Sequence, residues 1–321
     1  MPSRNTKAVI SEKRARDFFS FVYERQRIWY RREIQKREAP WTDDELLQTY
    51  KFINMYRELD RCTKYIMNAV ESLHADREAL LLNFIFYRFF NLDHLYEDLG
   101  VAPFRRLDAK THTRLVQGFS RMREKGKPLF NNAYVISPGH DRSPKHLTIL
   151  KGLRVVSASI QGLIKQIDAA ETPEDAFLEI QTVPLVGPFL ACEIWTDFSY
   201  VDGFVQGWTD NDFVNVGPGA KWGLELLAGQ KLTRSDQQRL LQWLHQKQED
   251  VLPAIHKVLG ATPSWETISY QEAASNTPFL SLTNVEGALC EYRKYLNLSS
   301  GKGRRRYFEP SDLQARDSLR A

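Results

Sequence analysis

Residues 182–223 read TVPLVGPFLACEIWTDFSYVDGFVQGWTDNDFVNVGPGAKWG. Val183-Pro184-Leu185-Val186-Gly187-Pro188 forms a tight turn, and Phe189 to Phe198 follows as a short apolar helix. After a loop come an acidic cluster, Asp210-Asn211-Asp212, and a glycine turn, Gly217-Pro218-Gly219. A hairpin glycine that opens backbone N–H groups at a helix N-terminus makes a seat for a phosphate. Those donors lack intrahelical acceptors, and the helix dipole favours an anion. An acid about two dozen positions later folds back beside such a seat. The pair points to a protein that grips a nucleic-acid backbone and presents a carboxylate to something on it.

This order of parts resembles the helix-hairpin-helix DNA glycosylases, in which a Leu-Pro-Gly-Val-Gly type of hairpin precedes a catalytic aspartate. Two departures stand out. Leu185 occupies the place of the first hairpin glycine, and Asp210 and Asp212 compete for that of the aspartate. A helix-turn-helix followed by a polar loop fits the same residues, so the remainder of the chain has to decide.

Composition narrows the class. The 321 residues are 42% hydrophobic and 26% charged, as in ordinary globular proteins, and can bury one large core or two modest ones. A net charge of +4 excludes a generic polycation, so nucleic-acid binding has to come from local basic patches. Thirteen tyrosines, 18 phenylalanines and 7 tryptophans allow base stacking without requiring it. Cys62, Cys192 and Cys290 are odd in number and widely spaced, which signals neither a disulfide framework nor a zinc site. The charged amino terminus has no apolar signal-like region, and no run approaches a membrane span of roughly 18 apolar residues, so a cytoplasmic protein without a membrane partner is expected.

Hydrophobic periodicity then predicts an all-α fold. Helices are expected over 11–32, 43–70, 75–99, 108–124, 153–169, 173–181, 189–198, 220–227, 235–249, 250–259 and 283–296. Thr42 reads as an N-cap, and Thr172-Pro173 as an N-cap with proline at the first helical position. In the predicted second helix Asn54, Arg57, Glu58 and Arg61 fall at i, i+3, i+4 and i+7. They form either a solvated stripe or a set of directed donors and acceptors for a polar ligand. Residues 1–298 are expected to form one helical domain with a turn-rich insertion at about 126–151, and 299–321 a basic, polar, extended tail carrying Lys302, Arg304, Arg305 and Arg306.

Three segments carry a second resemblance. They are FVYERQRIWYRR (21–32) with PWTDDELLQTYKFINMYRELDRCTKYI (40–66), VPLVGPFLACEIWTDFSY with DNDFVNVGPGAKWGL, and NVEGALCEYRKYLNLSSGKGRRR (284–306). Together they resemble the alpha-glutamyl/putrescinyl-thymine pyrophosphorylase family, whose helical domain is shared with phage 5-hydroxymethyluracil DNA kinases. The resemblance implies a multi-helix, DNA-glycosylase-like scaffold with a helix-hairpin-helix element, acting on a hypermodified pyrimidine flipped out of double-stranded DNA. The chain contains no G-x-x-x-x-G-K-[ST] phosphate loop, which favours a transferase over the kinase. Such an enzyme displaces pyrophosphate from the 5-methylene of the base with an amino acid or polyamine.

That chemistry needs a neutralised leaving group, an unprotonated amine and a dry pocket. Arg57 and Arg61, with Arg25 or Arg27, are candidates for the pyrophosphate, and Glu24 or Glu58 for the donor's amino group. Asp212 or Asp210 would serve as base, Asp212 being better placed ahead of Phe213 and Val214. Asn54 and Asn215 complete the substrate contacts, while Val186, Gly187, Gly217, Gly219, Lys221, Arg304 and Arg305 are the DNA-binding candidates. No metal or cofactor is called for. Three other classes compete. One is a glycosylase excising a modified base, with Asp212 or Asp210 stabilising the sugar cation. The others are a non-catalytic reader of modified DNA and a helical core protein whose charged stripes are merely solvated.

Overall fold

In the computed structural model, which describes residues 7–131 and 143–308, every regular element is helical and no β-strand occurs among the described residues. The α-helices are α1 (Glu12–Trp29), α2 (Glu45–Thr49), α3 (Arg61–Ala69), α4 (Arg77–Phe90), α5 (Leu95–Leu99), α6 (Ala109–Glu124) and α7 (Lys145–Ala169). They continue with α8 (Pro173–Gln181), α9 (Pro188–Ser199), α10 (Pro218–Ala228), α11 (Arg234–Leu259), α12 (Trp265–Ile268) and α13 (Leu282–Ser299). Local chemistry sets most starts. Ser11, Asp76, Asp108, Thr172, Thr233 and Ser281 each accept an N–H from the first turn of the helix that follows. Each bond satisfies a donor that the helix itself leaves open.

The chain divides into two compact units, Met1–Arg57 with Val216–Ala321, and Glu58–Asn215. In the second unit α4 is the central element. Leu80 to Phe90 are all buried, and the helix packs against α7 and α9. Helix α7 presents Ile149, Leu150, Leu153, Val156, Ile160, Leu163, Ile164 and Ile167 at helical spacing to α4 and α8. By length and composition alone α7 is apolar enough to cross a membrane, and its buried stripe packs in the core of this unit.

In the first unit α10 lies against α13 at close range. A Cβ added at Gly219 would sit 2.3 Å from Cys290 Sγ, and one at Gly223 would sit 2.6 Å from the Leu289 carbonyl oxygen. Only glycine lets the two backbones approach this closely. On the other side α1 packs on α11 through a core that includes Phe18, Phe19, Val22, Leu241 and Leu244.

Several expected elements are corrected. The helix expected over 43–70 breaks after Thr49. Residues 50–56 are irregular, Arg57–Leu59 is a single 3₁₀ turn, and α3 begins only at Arg61. The break is stable because its N–H groups find distant acceptors. Ile53 N–H donates to Glu291 Oε2 (3.1 Å), Arg57 N–H to Asn284 Oδ1 (2.9 Å) and Lys51 N–H to the Arg306 carbonyl (2.9 Å). The 75–99 helix stops at Asn91, which is left-handed (φ 49°), and resumes as α5. Helix α7 starts at Lys145, inside the expected insertion at 126–151, of which residues 132–142 lie outside the described residues. Segments 235–249 and 250–259 are one helix, with Pro253 inside it. In the tail expected from 299, residues 306–308 pair with 49–51, while 309–321 lie outside the described residues.

Candidate functional site

The turn at 182–187 lies in the second unit and joins α8 to α9. Val183 N–H returns to the Ile180 carbonyl, and Val186 N–H to that of Val183 (3.0 Å). The left-handed conformation falls on Leu185 (φ 68°), the position where the glycosylase hairpin has glycine. Gly187, the N-cap of α9, has an ordinary φ of −89° and open space around it, so its freedom of φ is not what the turn requires. Pro188 stands at the first helical position. Val186 is buried and its N–H is taken by the Val183 carbonyl, whereas Gly187 and Phe189 are exposed.

The two competing aspartates part company in the loop after α9. A turn at 209–212, closed by Asp212 N–H to the Thr209 carbonyl (3.1 Å), points them in different directions. Asp212 is exposed, and its Oδ2 accepts both the Thr209 N–H (2.7 Å) and the Thr209 hydroxyl (2.9 Å). Asp210 is completely buried. The Asp212 carboxylate closes a surface turn, while Asp210 lies in the low-dielectric interior where a charge acts most strongly. Trp195 Nε1 donates to the Phe213 carbonyl (3.2 Å) and ties this loop to α9. Asn215 is half-buried just beyond it, and Glu58 is half-buried in the 3₁₀ turn. Arg61 is exposed and pairs with Asp93 at 2.7 Å.

Sequence reasoning missed the strongest polar cluster of this unit. Arg88, on α4, donates to Asp197 through Nε (2.7 Å) and Nη2 (2.5 Å), to Glu193 (3.3 Å), to Asn91 Oδ1 (3.0 Å) and to Thr63 Oγ1 (3.3 Å). Arg88, Glu193 and Asp197 are all buried. The available signal was the i, i+4 spacing of Glu193 and Asp197 in an otherwise apolar helix, matched by one arginine in the apolar run of α4. The network fixes α9, and with it the hairpin, onto α4.

In the first unit, α1 and the segment 41–57 bring together another group of candidates. Glu24 pairs with Arg27 (2.5 Å) and accepts the Thr42 hydroxyl (2.5 Å). Arg25 is buried and donates to the Phe52 carbonyl (3.1 Å) and to Asn54 Oδ1 (3.0 Å). Asn54, Arg57, Glu58 and Arg61 do not form a helical stripe, because the segment that carries them is not one helix. Burial, with Arg27 close by, pulls the Arg31 pKa down, and burial raises that of Tyr23, whose hydroxyl donates to the Pro263 carbonyl.

The glycine turn before α10 is already occupied. Gly217 N–H donates to Glu286 Oε1 (2.9 Å), so a carboxylate of the protein itself holds the place expected for a phosphate. Gly219 faces Cys290 in the contact of α10 with α13, where an added Cβ would meet the sulfur. Lys221, Arg304 and Arg305 are exposed. Burial pushes the Cys290 thiol up to about 11 and raises that of Cys62, so both stay protonated near neutral pH and are poor nucleophiles. Among the described residues no group of three or more His, Cys, Asp or Glu is placed to hold a metal ion.

Comparison with known proteins adds three findings. The family model described as "5-hmdU DNA kinase, helical domain" matches residues 12–304. A 5-hmdU DNA kinase of Bacillus phage SP10 is 29% identical over 299 residues, covering 87% of this chain and 44% of that relative's length. No solved structure matches the chain. The family match includes residues of both units, from the first turn of α1 into the basic run after α13, and so the chain belongs to the 5-hmdU DNA kinase helical-domain family.

Proposed function

We propose that this chain is a DNA-modifying enzyme of phage type that acts on the 5-substituent of a hydroxymethyluracil-type base. In finer terms, it is a transferase that replaces the pyrophosphate of a 5-pyrophosphorylmethyl-uracil with an amino acid or amine. The observation that carries the reading is the family match over residues 12–304, whose description names 5-hmdU in DNA. The missing G-x-x-x-x-G-K-[ST] loop supports base-side chemistry rather than phosphoryl donation for these residues. In the second unit the N-terminus of α9 is proposed to seat a DNA phosphate, with exposed Gly187 allowing close approach. Asp210 is proposed as the base. It takes a proton from the attacking amine as the C–N bond forms, while the methylene C–O bond breaks and pyrophosphate leaves. In the first unit Glu24, Arg25, Arg27, Asn54 and Arg57 are the groups proposed to hold a polar ligand.

A second reading has its own support. The chain covers 44% of the phage kinase's length, so its domain could serve there to present the hydroxymethyl group to a phosphoryl donor. One experiment separates these readings and the glycosylase alternative. The protein is incubated with duplexes bearing 5-hydroxymethyluracil or its pyrophosphorylated form, with and without amino acids or polyamines, and the nucleosides are analysed by mass spectrometry. An adducted nucleoside with released pyrophosphate supports the transferase. Free base with abasic sites means glycosylase. Selective binding of 5-hydroxymethyluracil duplexes with no product supports the presenting domain.

A further inference from the structure

We propose that the basic run Lys302–Arg306 is a pre-ordered DNA-contact edge of the first unit, docked by its own aromatic neighbours. This rests on the DNA-binding reading above and names the surface that would carry it. Two left-handed glycines set the path. After α13, Gly301 (φ 72°) turns the chain, and Lys302 N–H closes on the Asn297 carbonyl (2.7 Å). Gly303 (φ 94°) turns it again where an added Cβ would lie 3.3 Å from Asn297 Cβ. The chain then runs back along residues 49–51. Lys51 N–H donates to the Arg306 carbonyl (2.9 Å) and Phe308 N–H to that of Thr49 (2.8 Å), an antiparallel bridge centred on Tyr50 and Tyr307.

Aromatic rings hold this pairing. Tyr50 and Tyr307 lie 5.4 Å apart, and Phe308 meets Trp41 edge-on at 6.1 Å. The aromatics that follow the cations in sequence thus dock the run on the protein. Lys302, Arg304 and Arg305 are left exposed, as is Lys51 beside them in the pairing, and residues 297–308 contain no acid. An extended residue advances about 3.3 Å, and one DNA strand presents a phosphate about every 3.4 Å of axis, so the run covers about the length of a few successive phosphates. The family match ends at residue 304, which places the pairing of 306–308 beyond it.

A fixed edge and a mobile basic tail respond differently to undocking. The assay is fluorescence anisotropy of the full chain on a duplex, titrated across salt concentration, with circular dichroism to verify folding. Replacing Lys302, Arg304 and Arg305 together with Gln is expected to lower the slope of log affinity against log salt by about two to three, near one per lost phosphate contact. Tyr307→Ser with Phe308→Ser keeps every charge and removes the dock. It is expected to weaken binding at least severalfold. Undocked protein that binds as tightly as the parent would overturn the fixed edge, and so would an unchanged slope in the Gln variant. A parent protein with no affinity for any duplex would overturn the DNA-binding reading itself, and the edge with it.

Discussion

Gly223→Ala tests the approach of α10 to α13. The new methyl would lie 2.6 Å from the Leu289 carbonyl oxygen and 3.1 Å from its carbon, about 1 Å short of ordinary contact. Both are backbone atoms of a helix and cannot rotate away. Overpacking of this kind costs about 1–3 kcal/mol, and the better helix propensity of alanine returns roughly 1 kcal/mol. A net loss of about 0–2 kcal/mol is expected. Gly219→Ala meets a different obstacle, Cys290 Sγ at 2.3 Å with Cys290 Cβ at 3.1 Å. Removing the sulfur relieves most of that clash, so Cys290→Ala is expected to rescue Gly219→Ala by about 1 kcal/mol or more and to leave the cost of Gly223→Ala unchanged. Urea denaturation followed by circular dichroism reads all five variants as shifts in midpoint at constant slope. Gly223→Ala more stable than the parent by the full propensity gain of roughly 1 kcal/mol, or Gly219→Ala and Cys290→Ala strictly additive, would refute the close approach.

Asp210→Asn is expected to lower turnover by about 10²–10⁴-fold with DNA affinity kept, while Asp212→Asn, which disturbs only a surface turn, stays within a few-fold; equal rates for both in a single-turnover assay would remove the carboxylate from the mechanism. Leu185→Val places a β-branched residue at φ 68° and is expected to cost about 1–2 kcal/mol and to weaken duplex binding, whereas Leu185→Asn, which tolerates the left-handed region, should largely preserve both. Arg88→Met leaves two carboxylates buried beside an apolar chain and is expected to destabilise the second unit by about 3–5 kcal/mol in thermal unfolding. Burial against Phe119 lowers the His146 pKa, so the unfolded chain takes up the proton first. That contribution is therefore complete above the unfolded pKa of about 6.5 and is lost as pH falls towards the folded value. The unfolding midpoint should drop between pH 7.5 and 5.5, and His146→Gln should flatten the drop.

Much of the helical architecture was legible, because a cap or a proline states it locally. Ser11, Asp108 and Thr172-Pro173 mark helix starts with chemistry that needs no distant partner. The segment 50–60 was not. Phe52, Tyr56 and Leu59 keep helical spacing, and the broken form is held by partners remote in sequence, among them the side chains of Asn284 and Glu291 more than two hundred residues away. The choice between Asp210 and Asp212 was equally hidden, since one turn held by Thr209 decides which carboxylate is inside. Arg88 was lost in an apolar run, where hydrophobicity reads as core and a single charge as noise. The Gly219-x-x-x-Gly223 spacing was visible, but a glycine that admits a phosphate and one that admits another helix look the same in sequence.

One helix, α13, receives the N–H of Ile53, of Arg57 and of Gly217 on three of its side chains, Glu291, Asn284 and Glu286. Those amides lie in two stretches of chain far apart in sequence, yet each is shielded only while α13 stays in place. Their hydrogen exchange should therefore follow a single opening event, with similar protection at all three and a common response to denaturant. Asn54 and Arg57 inherit that behaviour. A substitution that loosens α13 anywhere along its length would blur the position of both side chains without touching either, and kinetic effects from so remote a site would report on the helix rather than on chemistry.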